Sequence, residues 1–228
     1  MKNSVTVRLG LNSPVRTIGT SRRALTGRVA LASGGAATFE SALERDWLIF
    51  LDFNPLVTSI REQPFTVSFR DEEGDARRYT PDCMAEVLDA DGVVTTVVYE
   101  VKYREDLLTN WKSIKPKLNA ARVYCREQGW KFRVVTERNI RTEYLENIKF
   151  LRAYRAREAD PVRAQELLRT IRTLGETTPQ SLLAAAFWSV DDRMLAIPIL
   201  WGQIARGEIF AALDAPLTMS TPIWIEGD

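Results

Sequence analysis

Two acidic, glycine-bearing runs, Asp71-Glu72-Glu73-Gly74-Asp75 and Asp89-Ala90-Asp91-Gly92, cut the middle of the chain into apolar segments too short for helices. Those segments, 56–60, 65–69, 83–88 and 93–101, are separated by residues that favour tight turns, and they predict a small antiparallel meander. Helices flank it. From Thr38 to Phe53 the apolar positions Leu43, Trp47, Phe50 and Leu51 recur as i, i+4, i+7 and i+8, which predicts a helix with one buried face that carries Glu40 and Glu44 a turn apart. Asn54-Pro55 ends it. After the meander a second helix is expected to run to about Gln128 and stop at Gly129, with Pro116 in its first turns or at a kink. A strand at 131–136 and a helix over roughly 141–155 follow.

The composition shifts near Glu158-Ala159-Asp160-Pro161, where a domain boundary is expected. Beyond it, Ala164, Leu167, Leu168 and Ile171 repeat at helical spacing up to Gly175, and Thr178-Pro179 opens a second helix as cap and first helical residue. A third helix is expected over about 191–206 despite Pro198, then strands at about 208–213 and 217–225 around Asp214-Ala215-Pro216. Three helices and a terminal hairpin predict a small winged-helix-like α+β domain. The expected organisation is an N-terminal arm at 1–37, an α/β domain at 38–156 and this domain at 157–228.

Charge separates these parts although the chain as a whole is only +1. No acid precedes Glu40, while Lys2, Arg8, Arg16, Arg22, Arg23 and Arg28 make the first segment basic. Such a segment suits either a disordered tail or an arm laid along nucleic-acid phosphates. Residues 156–228 carry six bases and ten acids, so the C-terminal domain is acidic. Its expected recognition helix offers only Arg193 and Arg206 as bases, which suits a protein surface better than DNA.

Histidine is absent altogether. That excludes Ser-His and Cys-His nucleophile pairs, histidine-ligated zinc sites and histidine-dependent nucleases. Catalysis must rest on carboxylates, lysine, hydroxyls and bound ions. Cys83 and Cys125 have neither metal-ligand spacing nor the density of a secreted scaffold, which fits a reducing compartment. No apolar run approaches the ~18 residues of a membrane span.

The chemistry concentrates in Pro81-Asp82 and, after seventeen intervening residues, Glu100-Val101-Lys102. Side chains alternate along a strand, so Glu100 and Lys102 share a face. If the Asp89–Gly92 turn closes a hairpin, Asp82 lies within one residue of the position opposite Glu100. Two carboxylates and an ammonium then meet at one end of the sheet. Clustered acids repel, and an oxygen-liganded Mg²⁺ relieves that repulsion while lowering the pKa of a water and neutralising a phosphoryl oxygen. Lys102 would orient that water or stabilise developing negative charge. The competing reading is a solvated hairpin face with a Glu–Lys pair worth under ~1 kcal/mol. Two features favour a nuclease: Glu44 supplies a further acid, and residues 102–133 hold nine bases against three acids, with Trp111 and Tyr124 among them.

Together these residues resemble the PD-(D/E)xK nucleases, and within them TnsA, the endonuclease subunit of heteromeric transposases. The resemblance runs through Leu43-Glu44-Arg45-Asp46, Leu51-Asp52-Phe53-Asn54-Pro55, Ile60-Arg61-Glu62-Gln63-Pro64, Tyr79-Thr80-Pro81-Asp82, Glu100-Val101-Lys102, Thr136-Glu137 and the helix at 147–151, covering roughly 38–155. It implies an α/β, restriction-endonuclease-like mixed sheet flanked by helices. It implies Glu44, Asp82, Glu100 and Lys102 as catalytic residues, with Asp82, Glu100 and Glu44 as ligands of Mg²⁺, for which Mn²⁺ substitutes. Arg22, Arg23, Arg28, Lys112, Lys115 and Lys117 are candidate DNA contacts.

The function it implies is cleavage of the 5′ ends of a transposon during cut-and-paste transposition. The implied partners are double-stranded DNA at the transposon ends, a DDE transposase (TnsB-like) and an AAA+ regulator (TnsC-like) met through the C-terminal domain. The expected setting is the bacterial cytoplasm, on the nucleoid when active. The alternatives are a stand-alone restriction or repair nuclease and a non-catalytic DNA-binding adaptor on the same fold.

Overall fold

The computed structural model describes residues 6–9, 26–32, 34–71 and 73–226, so Arg22 and Arg23 lie outside the described residues. The chain divides into two compact units, Met1–Ile140 and Arg141–Asp228.

In the first unit the elements are β1 (Thr6–Leu9), β2 (Gly27–Ala30), β3 (Ala36–Phe39), α1 (Ala42–Phe53), β4 (Val57–Glu62), β5 (Phe65–Arg70), β6 (Ala76–Tyr79), β7 (Cys83–Leu88), β8 (Val94–Val101), α2 (Arg104–Thr109), α3 (Trp111–Glu127), β9 (Lys131–Val135) and α4 (Glu137–Ile140). The central sheet is mixed, in the order β4-β7-β8-β9. Its first three strands are antiparallel and β9 runs parallel to β8. A parallel neighbour needs a crossover, which α2 and α3 provide. Strand β8 is buried from Val97 to Val101, the continuous run expected of a strand covered on both faces. On one face Tyr99 meets Trp47 of α1 edge-on, with ring centroids 4.9 Å apart. On the other, Met84 and Val98 join Ile114, Leu118 and Ala121 of α3 and Phe65, Val67 and Tyr79 of the second sheet in one cluster.

That second sheet corrects the simple meander expected from the turns. Strand β5 leaves the central sheet and pairs with β1 and β6 instead. Strand β6 escapes the apolar pattern because Ala76, Arg77 and Arg78 are all exposed and only Tyr79 is buried. Part of the N-terminal arm is also built into sheets, β1 beside β5 and β2 beside β3. Both expected turns form: Gly74 donates to the Asp71 carbonyl and Gly92 to the Asp89 carbonyl. Their φ values of 88° and 74° are the left-handed conformation in which glycine carries no side-chain penalty. The single helix expected after Lys102 is broken at Asn110, which ends α2 and starts α3, and Pro116 lies inside α3.

The second unit contains α5 (Glu143–Arg155), α6 (Pro161–Leu174), α7 (Pro179–Ala186), α8 (Val190–Ala205), β10 (Phe210–Ala211) and β11 (Ile223–Trp224). The sequence suggested a boundary at 156/157, whereas α5 packs against α8 in this unit. Asp160, Thr178 and Ser189 cap α6, α7 and α8, each accepting a hydrogen bond from a backbone N–H of the first turn. The terminal strands are two residues each, much shorter than expected; a turn in which the Thr221 N–H bonds the Thr218 carbonyl occupies part of the second, and Asn147 holds the segment before it by side-chain bonds. Its Nδ2 donates to the Leu213 and Ala215 carbonyls at 2.8 and 2.7 Å, and its Oδ1 accepts from the Leu217 N–H at 3.0 Å. Among the described residues no helix is long and apolar enough to cross a membrane.

Candidate active site

The β7–β8 ladder pairs Cys83 with Tyr99 and Met84 with Val98. One step further along this register, Asp82 stands opposite Glu100, within the tolerance the turn position allowed. The Asp82 Oδ2 accepts a 2.7 Å hydrogen bond from the Val101 N–H, which fixes the carboxylate against the end of β8. Lys102 lies one residue past the strand, and its backbone N–H bonds the Val135 carbonyl of β9 at 3.1 Å. Its Nζ sits 3.2 Å from Glu100 Oε1, 3.7 Å from Asp82 Oδ2 and 3.1 Å from the Val101 carbonyl. The structure therefore brings Asp82, Glu100 and Lys102 together.

Glu100 is 1% exposed, which demands that its charge be answered from within the protein. Three groups answer it. The Tyr79 hydroxyl donates to Oε2, and the ammonium groups of Lys102 and Lys117 lie near Oε1, at 3.2 and 3.8 Å. Lys117 reaches in from α3 over the Tyr79 ring, 5.3 Å from its centroid. Burial, and then the Glu100 carboxylate, hold the Tyr79 hydroxyl well above its usual range, so it remains a donor at neutral pH.

Glu44 is placed by its own helix terminus. Ser41 caps α1 by accepting from the Glu44 N–H at 3.1 Å. The Glu44 carboxylate reaches back to the Glu40 N–H at 2.7 Å and to the Ser41 hydroxyl at 3.0 Å. The Ser-x-x-Glu pattern of a capping box is present in the sequence, here with the carboxylate bonding the N–H one residue before the cap. Glu40 precedes the helix instead of sharing its face, and its Oε1 accepts from Gln63 Nε2 at 3.2 Å. Gln63 has φ 41°, the one left-handed non-glycine residue among those described, and its N–H bonds the Asp82 carbonyl at 2.9 Å. The Ile60–Pro64 run is thus structural, forming the β4–β5 turn that grips the backbone of Asp82.

The electrostatics show mutual repulsion among the acids. Burial chiefly, then the Glu100 charge, raises the Asp82 carboxyl well above its ordinary value, against the pull of Lys102. Burial likewise raises Glu44 above the usual carboxylate range, with its two hydrogen bonds opposing. Burial alone would lower the Lys102 ammonium, but Asp82 and then Glu100 outweigh it and hold the pKa above that of an ordinary lysine. Among the described residues no three acidic, cysteine or histidine side chains converge closely enough to hold a metal by themselves. Two carboxylates about one ammonium converge instead. An oxygen donor set of two carboxylates, with water completing the shell, still fits Mg²⁺, which takes few protein ligands.

The other described candidates fall on two elements. Arg28 is exposed on β2, and Lys112 and Lys115 are exposed on α3, while Lys117 is half-buried against Glu100. Trp111 is 47% exposed beside these lysines. Tyr124, expected among the charges, is instead buried against Phe65 and Trp130, because position 124 falls on the apolar face of α3. Cys83 and Cys125 are both free and buried. Tyr79 and Gln63 carried no role in the sequence reading; both lie within the motif runs, but their partners are set by the tertiary fold.

No curated protein matches the chain. A family model described as TnsA-like endonuclease N terminal matches residues 54–137. That stretch holds Asp82, Glu100, Lys102 and the α3 lysines, and begins just after α1 with its Glu44. Residues 54–137 are thus similar to the N-terminal domain of TnsA-like endonucleases, and the mixed sheet with a carboxylate–lysine cluster at its end fits that likeness.

Proposed function

We propose that the chain is a Mg²⁺-dependent DNA endonuclease that cuts the 5′ ends of a transposon during cut-and-paste transposition. It would work with a TnsB-like DDE transposase and a TnsC-like AAA+ regulator. The observation that carries this reading is the convergence of Asp82, Glu100 and Lys102 at the sheet end within the stretch similar to TnsA-like endonucleases.

The reaction is attack of water on a backbone phosphodiester: a new P–O bond forms, one ester P–O bond breaks, and the water loses a proton. Asp82 and Glu100, with Glu44 nearby, are the residues that would hold Mg²⁺, or Mn²⁺ in its place. When bound, the ion would supply charge neutralisation at the phosphoryl oxygen and a more acidic attacking water. The protein's own part is positioning. The Val101 N–H and the Gln63 turn fix Asp82, while Tyr79 and Lys117 fix Glu100. Lys102 has three donors and stands between the two carboxylates, so it can hold a water or a phosphoryl oxygen while remaining paired. Its raised pKa keeps it a cation and not a general base at neutral pH.

We assign the second unit to partner binding as a winged-helix-like domain. In support, α6, α7 and α8 pack together, and Thr177 and β10 both pair with β11. The acidic balance of residues 156–228 favours a protein partner over DNA. Substituting Lys102→Ala tests the enzymatic reading. A nuclease loses strand cutting and keeps DNA binding, whereas an adaptor keeps its function in transposition. Cutting by the isolated wild-type chain at defined sites, with no transposase added, would favour a stand-alone nuclease.

A further inference from the structure

Lys117 has two settings at once. Its ammonium lies 3.8 Å from Glu100 in the candidate active site, and its side chain also lines a groove of about 740 Å³ between the β5–β6 hairpin and the first turns of α3. The hairpin contributes Arg77 and Arg78, and α3 contributes Trp111, Lys112 and Lys115. Two acids, Asp71 and Glu73, share the groove, and Asp71 is already engaged by Arg77 at 2.6 Å. Arg78, Lys112 and Lys115 are exposed. The groove therefore presents an excess of cations from two separate elements and ends at the carboxylate–lysine cluster.

We propose that this groove is the track for the DNA strand being cut, with Arg78, Lys112 and Lys115 on successive phosphates and Lys117 the last phosphate contact before the scissile bond. Cations lining a groove from two sides suit a single sugar–phosphate strand of the duplex, gripped next to the reacting phosphate. Trp111 offers the groove a half-exposed flat face for the apolar side of that strand. Pro116 also lines the groove, and having no N–H it leaves the Lys112 carbonyl without its usual helical donor. The proposal rests on the nuclease reading and adds the route by which substrate reaches the site.

The test uses the full chain carrying Asp82→Ala, so that DNA is bound without being cut. Affinity for a fluorescein-labelled duplex of mixed sequence is measured across a series of salt concentrations, beside the same chain with Arg78→Ala, Lys112→Ala and Lys115→Ala. Each phosphate contact contributes about 0.9 to the slope of log K against log salt, so the triple substitution is expected to reduce the slope by roughly 2 to 3, and Lys117→Ala by about one more. All the substituted side chains but Lys117 are exposed, and an unchanged melting midpoint of the triple variant confirms that its fold is intact. An unchanged slope overturns the proposal and leaves the groove to an acidic protein segment. Absence of measurable binding at low salt overturns it as well. Failure of the nuclease reading looks different: the slopes fall as expected, but the wild-type chain cuts neither strand within its transposition assembly.

Discussion

Removing one oxygen atom tests how the site holds its most buried charge. In Tyr79→Phe the ring stays, and with it the packing against the core cluster and the surface under Lys117. What is lost is the hydroxyl donating to Glu100 Oε2. With Glu100 1% exposed, no solvent stands ready to replace that donor. A hydrogen bond to a charged group contributes about 1.5–3 kcal/mol, so a loss of about 2 kcal/mol is expected. With a urea dependence of about 2 kcal/mol per molar, the unfolding midpoint should fall by roughly 1 M. A double-mutant cycle isolates the bond. In a Glu100→Gln background the acceptor is neutral, and Tyr79→Phe should cost about 1 kcal/mol less than in wild type. The raised Tyr79 pKa adds a sign. A group raised in the folded state contributes fully below its unfolded value near ~10, so the cost of Tyr79→Phe should stay flat across neutral pH. A cost under ~0.5 kcal/mol, or one unchanged by Glu100→Gln, would refute the view that Tyr79 holds Glu100.

Asp82→Asn should stabilise the chain in metal-free buffer increasingly as pH rises. The native carboxyl is raised, so its contribution is complete below the unfolded value near ~4 and is lost as pH climbs through the folded value; a difference from wild type that does not vary with pH would contradict this. Asn147→Ala removes three hydrogen bonds from a 6% exposed side chain, at about 1 kcal/mol each, and should cost about 3 kcal/mol in denaturant unfolding. Asn147→Asp should be no better, because it faces the Leu213 and Ala215 carbonyls with an acceptor where they need a donor; full stability of either variant would refute the clamp.

Local pattern made some of this legible and tertiary pairing concealed the rest. The alternation along β8 and the glycine turn at Asp89–Gly92 were enough to place Asp82 within one residue of the position opposite Glu100, since a short hairpin fixes its own register. The Thr178-Pro179 start of α7 was equally local. Strand β6 was not, because an exposed edge segment such as Ala76-Arg77-Arg78 has no apolar alternation and is a strand only by virtue of β5 beside it. Helix α5 was expected, but its buried Leu145, Ile148 and Leu151 mark an apolar face without marking the helix it meets. Within the site, Asp82, Glu100 and Lys102 were visible as a spacing. Tyr79, Gln63 and Lys117 were not, because their contacts with Glu100 and Asp82 bridge separate elements and leave no period in the sequence.

On the function proposed above, the Asp82–Glu100–Lys102 cluster cuts one strand at each transposon end. The most direct test maps nicks on end-labelled transposon-end DNA with the transposase and regulator present, comparing Mg²⁺, Ca²⁺ and the Asp82→Ala chain. Cuts at the 5′ ends that require Mg²⁺ and vanish with Asp82→Ala, while 3′-end cuts persist, are the predicted result. Cuts at the 5′ ends that survive Asp82→Ala, or 3′-end cutting with no 5′-end cuts by the wild-type chain, would contradict it.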